Sequence, residues 1–441
     1  MQALYSLVIA LFGLALRLGA LFNSRAKLWT GGRRGLFDRI RADLETVPGE
    51  RRSQTAWFHC ASLGEFEQGR PLMEHLREAY PHSLIVVTFF SPSGYEIRKD
   101  TPVADFVWYL PLDTPGNARN FVRLVKPGMA FFVKYEFWYN LLAALKQADI
   151  PVFLVSGIFR PQQSFFKWYG GWMRKQLGNF TWFFLQNGDA KALLEKHGIK
   201  NFTVTGDTRF DRVTVIAAQP KEFPLVQKFC GSGQVMVCGS TWPQDDALIL
   251  PLIVNRKIGL KYIIAPHEVH EERIASLIRT IRETPGMPVG QHAIVRLSEL
   301  TNGNALKAKV LVVDSIGQLA HLYRYATFAY VGGGFGTGLH NILEPVSFSK
   351  PVLFGPEYRK FPEASDLVRL GGAASVKDAE SMKAMVKRMI TDTVHRRHMS
   401  DICGIYTDSN RGATRRTMDA IRSFGFLPRT FSPRESVSPA S

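Results

Sequence analysis

The sequence predicts an α/β protein of two doubly wound domains, with one apolar helix in front of them. Its 441 residues exceed a single domain of about 100–200 residues and suit two domains of similar size. Two successive series of short apolar runs alternate with amphipathic stretches, which is typical of parallel sheets with crossover helices. The third observation is a single long apolar stretch near the N-terminus. A hydrophobic content of 46% excludes a disordered chain.

The apolar stretch covers residues 3–22 and contains one charged side chain, Arg17. As a helix it would be about 30 Å long, the thickness of one hydrocarbon core. A basic segment follows it, whereas a secretory signal carries its charge in front. We predict a retained anchor in residues 1–24 that either spans the membrane or lies in its interface, beside an anionic cytoplasmic leaflet. The alternative is a buried first helix of the globular domain.

The first domain is predicted over residues 25–215 and the second over residues 216–425. Apolar runs predict the strands of the first domain at residues 56–61, 84–89, 105–109, 129–133, 152–155, 182–185 and 202–205. Those of the second domain are predicted at residues 235–238, 262–265, 309–313, 327–331, 351–354 and 374–376. The tail, residues 426–441, is predicted to be disordered. Because ligands bind at the carboxyl ends of parallel strands, the loops that follow these strands are the candidate sites.

Two carboxylates follow strands of the first domain. Ser62-Leu63-Gly64-Glu65 comes after the first strand, and Gly64 allows a tight turn into a helix whose N-terminus would favour the ionised form of Glu65. An ionised carboxylate in this place suits a general base. Glu136 follows the fourth strand and could flank the same pocket. The alternative for each carboxylate is that it only complements a helix dipole.

A glycine-rich loop follows the fourth strand of the second domain. Five glycines lie within the seven residues from Gly332 to Gly338, so backbone N–H groups could approach a phosphate closely. The loop lacks the GxGxxG and GK[ST] patterns, so neither a Rossmann fingerprint nor a P-loop is indicated. Glu344, in the first turn of the next helix, would accept hydrogen bonds from ribose hydroxyls. The alternative is a loop that only turns the chain.

Two weaker loops complete the candidate sites. Ser240 and Thr241 follow the first strand of the second domain, where they could bind an anion or merely cap a helix. Pro266 and His267 open a loop that continues to His270. Its two histidines are three residues apart, whereas the HExxH zinc motif needs four, so we predict no metal site. This loop would contact substrate or simply begin a charged helix.

Composition narrows the partners and the compartment. Four cysteines without a CxxC spacing argue against a disulfide scaffold or a structural zinc site and suit a reducing compartment. The net charge of +17 calls for an acidic partner, which could be nucleic acid, a phosphorylated substrate or an anionic membrane.

The same loops resemble motifs of the 3-deoxy-D-manno-octulosonic acid (Kdo) transferases of lipopolysaccharide synthesis, which are GT-B glycosyltransferases that use CMP-Kdo. The resemblance runs in order from the anchor to about Ser423. Ser62-Leu63-Gly64-Glu65 is similar to the family's S-[VL]-G-E, and Glu136-Phe137-Trp138-Tyr139-Asn140 to E-[LIF]-W-x-N. The further matches are Thr205-Gly206-Asp207-Thr208-Arg209-Phe210-Asp211 with T-G-[SND]-x-[KR]-[FY]-D, Ser240-Thr241 with S-T, and Val331-Gly332-Gly333 with His340-Asn341-Ile342-Leu343-Glu344-Pro345.

Two segments depart from the family pattern. Lys134 stands where the common E-T-E-L-W run has its first acidic residue. The loop from Pro266 to Arg273 is two residues longer than the usual R-H-P-E-R, which leaves the roles of His267, His270 and Arg273 open.

The resemblance implies a GT-B fold, with two Rossmann-like domains facing a cleft, and a division of labour between them. Glu65 would act as general base, with Glu136 as a second catalytic carboxylate, and Ser62 and Gly64 would contact the acceptor. The C-terminal domain would hold most of CMP-Kdo, with its phosphate near Gly333. The implied donor contacts are Arg209, Ser240, Thr241, Pro266, His267, Gly333, Gly334, His340, Asn341 and Glu344.

The resemblance also implies the partners. The acceptor would be a lipid A precursor (lipid IVA), and the enzyme would need neither a metal nor a cofactor. It would work on the cytoplasmic face of the inner membrane of a Gram-negative bacterium and would not bind nucleic acid. Two alternatives stay open: a GT-B transferase or epimerase that uses a UDP-sugar, and a membrane-tethered nucleic-acid-binding protein. The aromatic run Phe165-Phe166-Lys167-Trp168-Tyr169 would be either a membrane-facing or acyl-chain surface or simple core packing.

Overall fold

The protein, in a computed structural model, is described over residues 1–255, 258–287, 293–427 and 431. It divides into two compact units. The first unit comprises Met1–Arg212 and Arg411–Ser441, and the second comprises Val213–Asn410.

The first unit is built on a parallel sheet, as the apolar runs predict. Its strands over the described residues are β1 Thr55–Cys60, β2 Leu84–Phe89, β3 Phe106–Tyr109, β4 Met129–Val133, β5 Val152–Gly157, β6 Trp182–Leu185 and β7 Phe202–Val204. They lie in the order β3-β2-β1-β4-β5-β6-β7, and each pairs with its neighbours in parallel. Nearly continuous apolar strands suit this sheet because it is covered on both faces.

The second unit repeats the architecture. Its strands over the described residues are β8 Gln234–Thr241, β9 Leu260–Pro266, β10 Ile294–Arg296, β11 Val310–Val312, β12 Phe328–Val331, β13 Val352–Phe354 and β14 Ala373–Ser375. They lie in the order β10-β11-β9-β8-β12-β13-β14, again all parallel. The sequence prediction missed β10, because three residues are too few to show a pattern.

Helices connect the strands and cover both sheets. Those in the described residues are α1 Gln2–Gly19, α2 Ser24–Arg33, α3 Leu36–Glu45, α4 Gly49–Arg52, α5 Leu63–Ala79, α6 Pro92–Arg98, α7 Pro115–Val125, α8 Tyr139–Gln147, α9 Gly171–Gln176, α10 Gly188–Lys196, α11 Arg209–Ala218, α12 Pro224–Cys230, α13 Pro243–Val254, α14 Glu271–Glu283, α15 Leu319–Leu322, α16 Leu343–Ser347, α17 Pro362–Leu370, α18 Ala379–Thr391, α19 Thr393–Asn410 and α20 Ala413–Ser423. Within the described chain, α1 alone is long and apolar enough to cross a membrane, which is compatible with membrane association.

Each sheet separates two hydrophobic cores. On β1, Trp57 packs into one core of the first unit, and its neighbours Ala56 and Phe58 pack into the other. On β8, Val237 and Met236 divide in the same way between the two cores of the second unit. Side chains alternate across a strand, so both faces of each sheet must be apolar and must be covered by helices.

The strand order places a topological switch point in each unit. In the first unit the chain leaves β1 toward β2 on one side and later returns to β4 on the other side. In the second unit the same reversal lies between β8 and β12. Ligands of doubly wound sheets bind where neighbouring connections diverge, at the carboxyl ends of these strands. Both of the predicted carboxylates and the glycine-rich loop follow these strands.

The end of the chain differs from the predicted domain boundary at residue 425. Helix α20 belongs to the first unit, where Asp211 accepts hydrogen bonds from the backbone N–H groups of Gly412 and Thr414, the latter at 2.6 Å. Arg416 donates to the carbonyl oxygen of Thr205 at 2.9 Å. In the predicted tail, residues 428–430 and 432–441 lie outside the described residues, while Phe431 is buried and its ring packs against a tyrosine of the first unit.

Candidate active site

Glu65 lies at the carboxyl edge of the first sheet, in the first turn of α5. The helix begins directly after β1, with Ser62 at its N-cap position. The Ser62 hydroxyl donates a hydrogen bond to Glu65 Oε2, and the Glu65 side chain is only 8% exposed. The Ser62 hydroxyl therefore holds this carboxylate at the edge of the sheet where a ligand would bind.

Glu136 belongs to a hydrogen-bonded cluster on the same edge. Its Oε2 accepts from the indole Nε1 of Trp138 at 2.9 Å, and the same indole N–H also lies 2.9 Å from His59 Nε2. His59 Nε2 is 3.5 Å from Glu136 Oε2. Because Nε2 accepts a hydrogen bond, the proton of the buried imidazole lies on Nδ1, which is 3.0 Å from the Thr88 hydroxyl.

The helix-dipole alternative for Glu136 does not hold. Helix α8 begins three residues later, at Tyr139. Its first N–H groups are satisfied by Asp113, whose carboxylate accepts from Asn140 N at 3.0 Å and from Leu141 N at 2.8 Å. Glu136 therefore interacts with Trp138 and His59 and not with the start of α8.

Glu65 and Glu136 raise the pKa values of the same two neighbouring side chains. Burial raises the pKa of the Cys60 thiol, and the charges of Glu65 and Glu136 raise it further. Burial also raises the pKa of Tyr135, again with contributions from both carboxylates. The structure therefore brings together at one edge the two residues predicted as catalytic.

Strained backbone marks the ends of several strands. Lys134 follows β4 with φ 72°, Ser156 lies near the end of β5 with φ 51°, and Ser240 near the end of β8 with φ 52°. Residues other than glycine rarely adopt this left-handed backbone conformation, and those that do concentrate at functional sites. At Ser240 the pairing of β8 with β9 also shifts register.

In the second unit, Asp245 joins the start of α13 to the glycine-rich loop. The aspartate is 1% exposed and accepts three hydrogen bonds, from Trp242 N at 2.9 Å, Tyr330 Oη at 2.6 Å and Gly333 N at 3.1 Å. Thr241 is buried just before this helix. The ends of β8 and β12 are thereby held together at the switch point of the second sheet.

The glycines serve close backbone packing more than the sequence prediction expected. The N–H of Gly333 is bonded to Asp245, and that of Gly332 to the carbonyl oxygen of Gly239 at 2.9 Å. Gly333 has φ 91°, and a Cβ on Gly334 would lie 2.7 Å from the backbone of Gly355. These two amides are therefore already bonded within the second unit, and the phosphate contact near Gly333 stays a prediction.

Three aromatic rings form a stack beside this loop. His267 and His340 lie with ring centroids 4.2 Å apart, and Trp242 lies 4.8 Å from His267. The indole of Trp242 donates to His340 Nε2 at 3.0 Å. Burial lowers the pKa of His340 to about 4, and the neighbouring His267 adds to the effect. Both imidazoles are therefore brought together, and His340 is neutral near pH 7.

Asn341 and Glu344 lie together after this stack. Asn341 accepts from the N–H of Leu343 at 3.2 Å and donates to Glu344 Oε1 at 3.3 Å. The carboxylate also adds to the raised pKa of Tyr323, of which burial is the main cause. Glu344 lies in the first turn of α16, as the sequence predicts.

The remaining candidate residues do not form one cluster. Arg209 lies in the first unit, where its guanidinium pairs with Asp207 at 2.7 Å. Pro266 ends β9 next to His267. His270 is exposed and caps α14, whereas Arg273 pairs with the buried Asp246 at 2.5 Å.

Sequence reasoning missed His59, Trp242 and Asp245 as site residues. Asp245 follows a Trp-Pro pair that is typical of a helix start, so it looked like a first-turn acidic residue. His59 lies in an otherwise apolar strand, and this single imidazole near the strand end was the available signal.

Comparison with known proteins agrees with the loops described above. The family model of the 3-deoxy-D-manno-octulosonic-acid transferase (kdotransferase) matches residues 36–212. The Kdo transferase of Bordetella pertussis is 27% identical over 384 residues, which cover 83% of this chain and 87% of that protein. The Kdo transferase of Haemophilus influenzae is 26% identical over 385 residues, covering 84% and 87%.

The solved structures show the fold. A crystal structure of UDP-N-acetylglucosamine 2-epimerase superimposes with a TM-score of 0.58 at 17% identity, covering 86% of this chain and 99% of that one. Two doubly wound units with their loops at the switch points, together with these relatives, define a glycosyltransferase of the GT-B fold. Within that class, residues 36–212 match the Kdo transferase family model, and the chain is similar to curated Kdo transferases over most of its length.

Proposed function

We propose that this enzyme transfers Kdo from CMP-Kdo to lipid IVA, the lipid A precursor, on the cytoplasmic face of the inner membrane of a Gram-negative bacterium. The relatives are named for Kdo transfer, which supports the transferred sugar. The net charge of +17 suits a phosphorylated lipid acceptor and a negatively charged donor. Neither a metal nor a cofactor takes part in this proposal.

The observation that carries the proposal is the position of Glu65. The carboxylate accepts the proton of an acceptor hydroxyl while the hydroxyl oxygen attacks the anomeric carbon of Kdo. The bond to CMP breaks, and CMP leaves with the electron pair as a stable anion. Ser62 holds the carboxylate toward this edge. Glu136 lies near it and takes the role of a second polar group that orients the acceptor.

The donor is assigned mainly to the second unit. The stacked His267 and His340 and the pair Asn341–Glu344 offer neutral rings, an amide and a carboxylate to the nucleoside. Pro266, Ser240, Thr241 and Gly334 surround the same strand ends. The resemblance assigns Arg209 to the donor phosphate. Its guanidinium is paired with Asp207, so it would have to bind both the phosphate and this carboxylate.

Substitution of Glu65 by Gln tests the proposed base. Glu65→Gln keeps the shape and the hydrogen bond but removes the proton acceptor, so transfer should fall by about 10²–10⁴-fold while CMP-Kdo binding persists. The matched control is Glu67→Gln, two residues along α5, where the carboxylate pairs with Arg98 at 2.6 Å. Full activity of Glu65→Gln, or an equal loss in the control, contradicts the assignment. Incubation with UDP-sugars in place of CMP-Kdo distinguishes the alternative donor.

A further inference from the structure

Helix α1 lies against the first unit along its whole length. Its less exposed residues recur mostly at a spacing of three or four, and they are Tyr5, Ser6, Ile9, Gly13, Leu16 and Gly19. This spacing places them on one face of the helix. Gly13 is buried against Leu112, whose side chain would have to shift to accept a Cβ there. One narrow face of α1 therefore docks onto the globular unit.

Polar contacts fix the docked face near its N-terminal end. The Tyr5 hydroxyl donates to Asp113 Oδ2 at 2.7 Å, and this aspartate is fully buried while it also caps α8. Ser6 and Asn140 exchange a hydrogen bond at 3.2–3.3 Å. Pulling α1 away from the unit would leave these buried polar groups without their partners, which costs free energy.

The opposite face of α1 is apolar and exposed. It presents Leu4, Leu7, Leu11, Leu14 and Leu18. The surface continues beyond the helix to Phe22, which is 92% exposed. Elsewhere in the first unit, Trp168 is 95% exposed, four residues before Trp172, whose ring lies 6.1 Å from Tyr5.

Basic side chains border this apolar surface. Arg17 lies beside it on α1, and Arg25 and Lys27 follow on α2. Lys167 precedes the exposed Trp168 in the sequence. Cations next to exposed leucines and a tryptophan suit the headgroup level of an anionic bilayer. Of the two predicted roles of the aromatic run, packing holds for the buried Phe165, and Trp168 lies on the exposed surface.

We propose that α1 lies in the plane of an anionic membrane surface, with its leucine face in the lipid, and does not cross the bilayer. A crossing helix must leave the globular unit, whereas α1 is held to it by Tyr5 near one end and by Phe12 and Gly13 farther along. While one side of its 18 residues packs on the globular unit, α1 is not surrounded by hydrocarbon as a spanning helix would be. Arg17 then sits at the interface instead of inside the hydrocarbon.

The in-plane helix places the catalytic edge at the membrane. Phe12 of α1 lies 6.4 Å from Phe90, whose ring lies 4.8 Å from Trp138 in the Glu136 cluster. A lipid acceptor would therefore meet the carboxylates without leaving the surface. This consequence rests on the proposed function, but the orientation of α1 does not depend on which sugar is transferred.

The orientation can be measured with fluorescent labels on α1 and with quenching lipids at known depths. Leu4, Leu11 and Leu18 share one face and extend over about 21 Å of helix. The native cysteines are all buried, so single Cys substitutions at these positions can be labelled with a polarity-sensitive dye in the full chain. The labelled protein is bound to vesicles of phosphatidylethanolamine and phosphatidylglycerol that carry depth-specific quenching lipids. Arg123→Cys, exposed near the far end of α7, is the matched control.

The proposal expects all three helix labels at one shallow depth and the control label unquenched. Depths that differ by about 20 Å between Leu4→Cys and Leu18→Cys would show a crossing helix and overturn the in-plane orientation alone. No quenching at any of the three would overturn membrane binding itself, and a dimer in solution would then identify a second copy as the occupant. Kdo transfer to a detergent-dispersed acceptor, measured separately, keeps these outcomes distinct from failure of the proposed function.

Discussion

Replacement of Trp138 by Phe tests the role of the Glu136 cluster without disturbing its packing. Phe keeps an aromatic ring against Phe90 but removes the indole N–H. That N–H lies 2.9 Å from both His59 Nε2 and Glu136 Oε2, so one substitution removes a donor from a buried imidazole and from a carboxylate.

The size of the effect follows from these two contacts. A buried acceptor left without its donor costs about 1–3 kcal/mol, and hydrogen bonds to charged groups lie toward the upper end. We expect the free energy of unfolding to fall by about that amount. If Glu136 must be held in place during transfer, kcat/KM should fall by about 10–100-fold, since about 1.4 kcal/mol corresponds to a factor of ten.

Urea unfolding and initial rates of Kdo transfer measure the two effects on the same preparation. The matched control is Trp182→Phe, which removes an indole N–H bonded to Thr203 Oγ1 at 3.0 Å, at the amino end of β6. The control should lose stability but keep its rate. Wild-type kcat/KM in Trp138→Phe, despite a loss of stability, would refute a role of the cluster in catalysis.

Three further predictions concern the second unit. Asp245→Ala leaves three donors without an acceptor, two of them buried, the Tyr330 hydroxyl and Gly333 N. Calorimetry should show a loss of about 3–5 kcal/mol together with weaker CMP binding, and unchanged binding would show that the loop does not contact the donor. Because the pKa of His340 is lowered to about 4, the unfolded chain takes up a proton below about pH 6.5 that the folded chain refuses until about pH 4. The free energy of unfolding should therefore decrease as the pH is lowered from about 6.5 to about 4, and it should decrease much less in His340→Gln. A flat pH profile in the wild type would contradict the burial of this ring. Arg273→Met should lower the free energy of unfolding by about 3–5 kcal/mol, because the buried Asp246 loses its charged partner. The double variant Arg273→Met with Asp246→Leu should recover most of this loss in urea unfolding. No recovery would indicate a role of Arg273 beyond the ion pair.

The sheet architecture was predictable because its signal is local. Runs of buried β-branched and aromatic residues, such as those of β2 and β4, are bounded by turns and need no knowledge of distant residues. The rule that ligands bind at carboxyl ends then pointed to the loops of Glu65, Glu136 and Gly333. These three loops do follow β1, β4 and β12 at the switch points.

Contacts between distant residues were not predictable in the same way. Gly333 and its acceptor Asp245 are separated by 88 residues, so nothing in the glycine pattern shows that this amide is already engaged. The return of α20 to the first unit depends on Asp211, about 200 residues earlier. His59 is a polar residue in an apolar strand, and only the structure shows the indole that makes it part of the site.

The most direct test of the account is the mass of the product. The purified full chain is incubated with CMP-Kdo and lipid IVA, and the glycolipid is analysed by mass spectrometry beside the Glu65→Gln variant. If Kdo is transferred as proposed, the wild type yields a product heavier by one or more Kdo residues, and the variant leaves lipid IVA unmodified. Unmodified lipid with the wild type, or a sugar accepted from a UDP-activated donor instead, would contradict it.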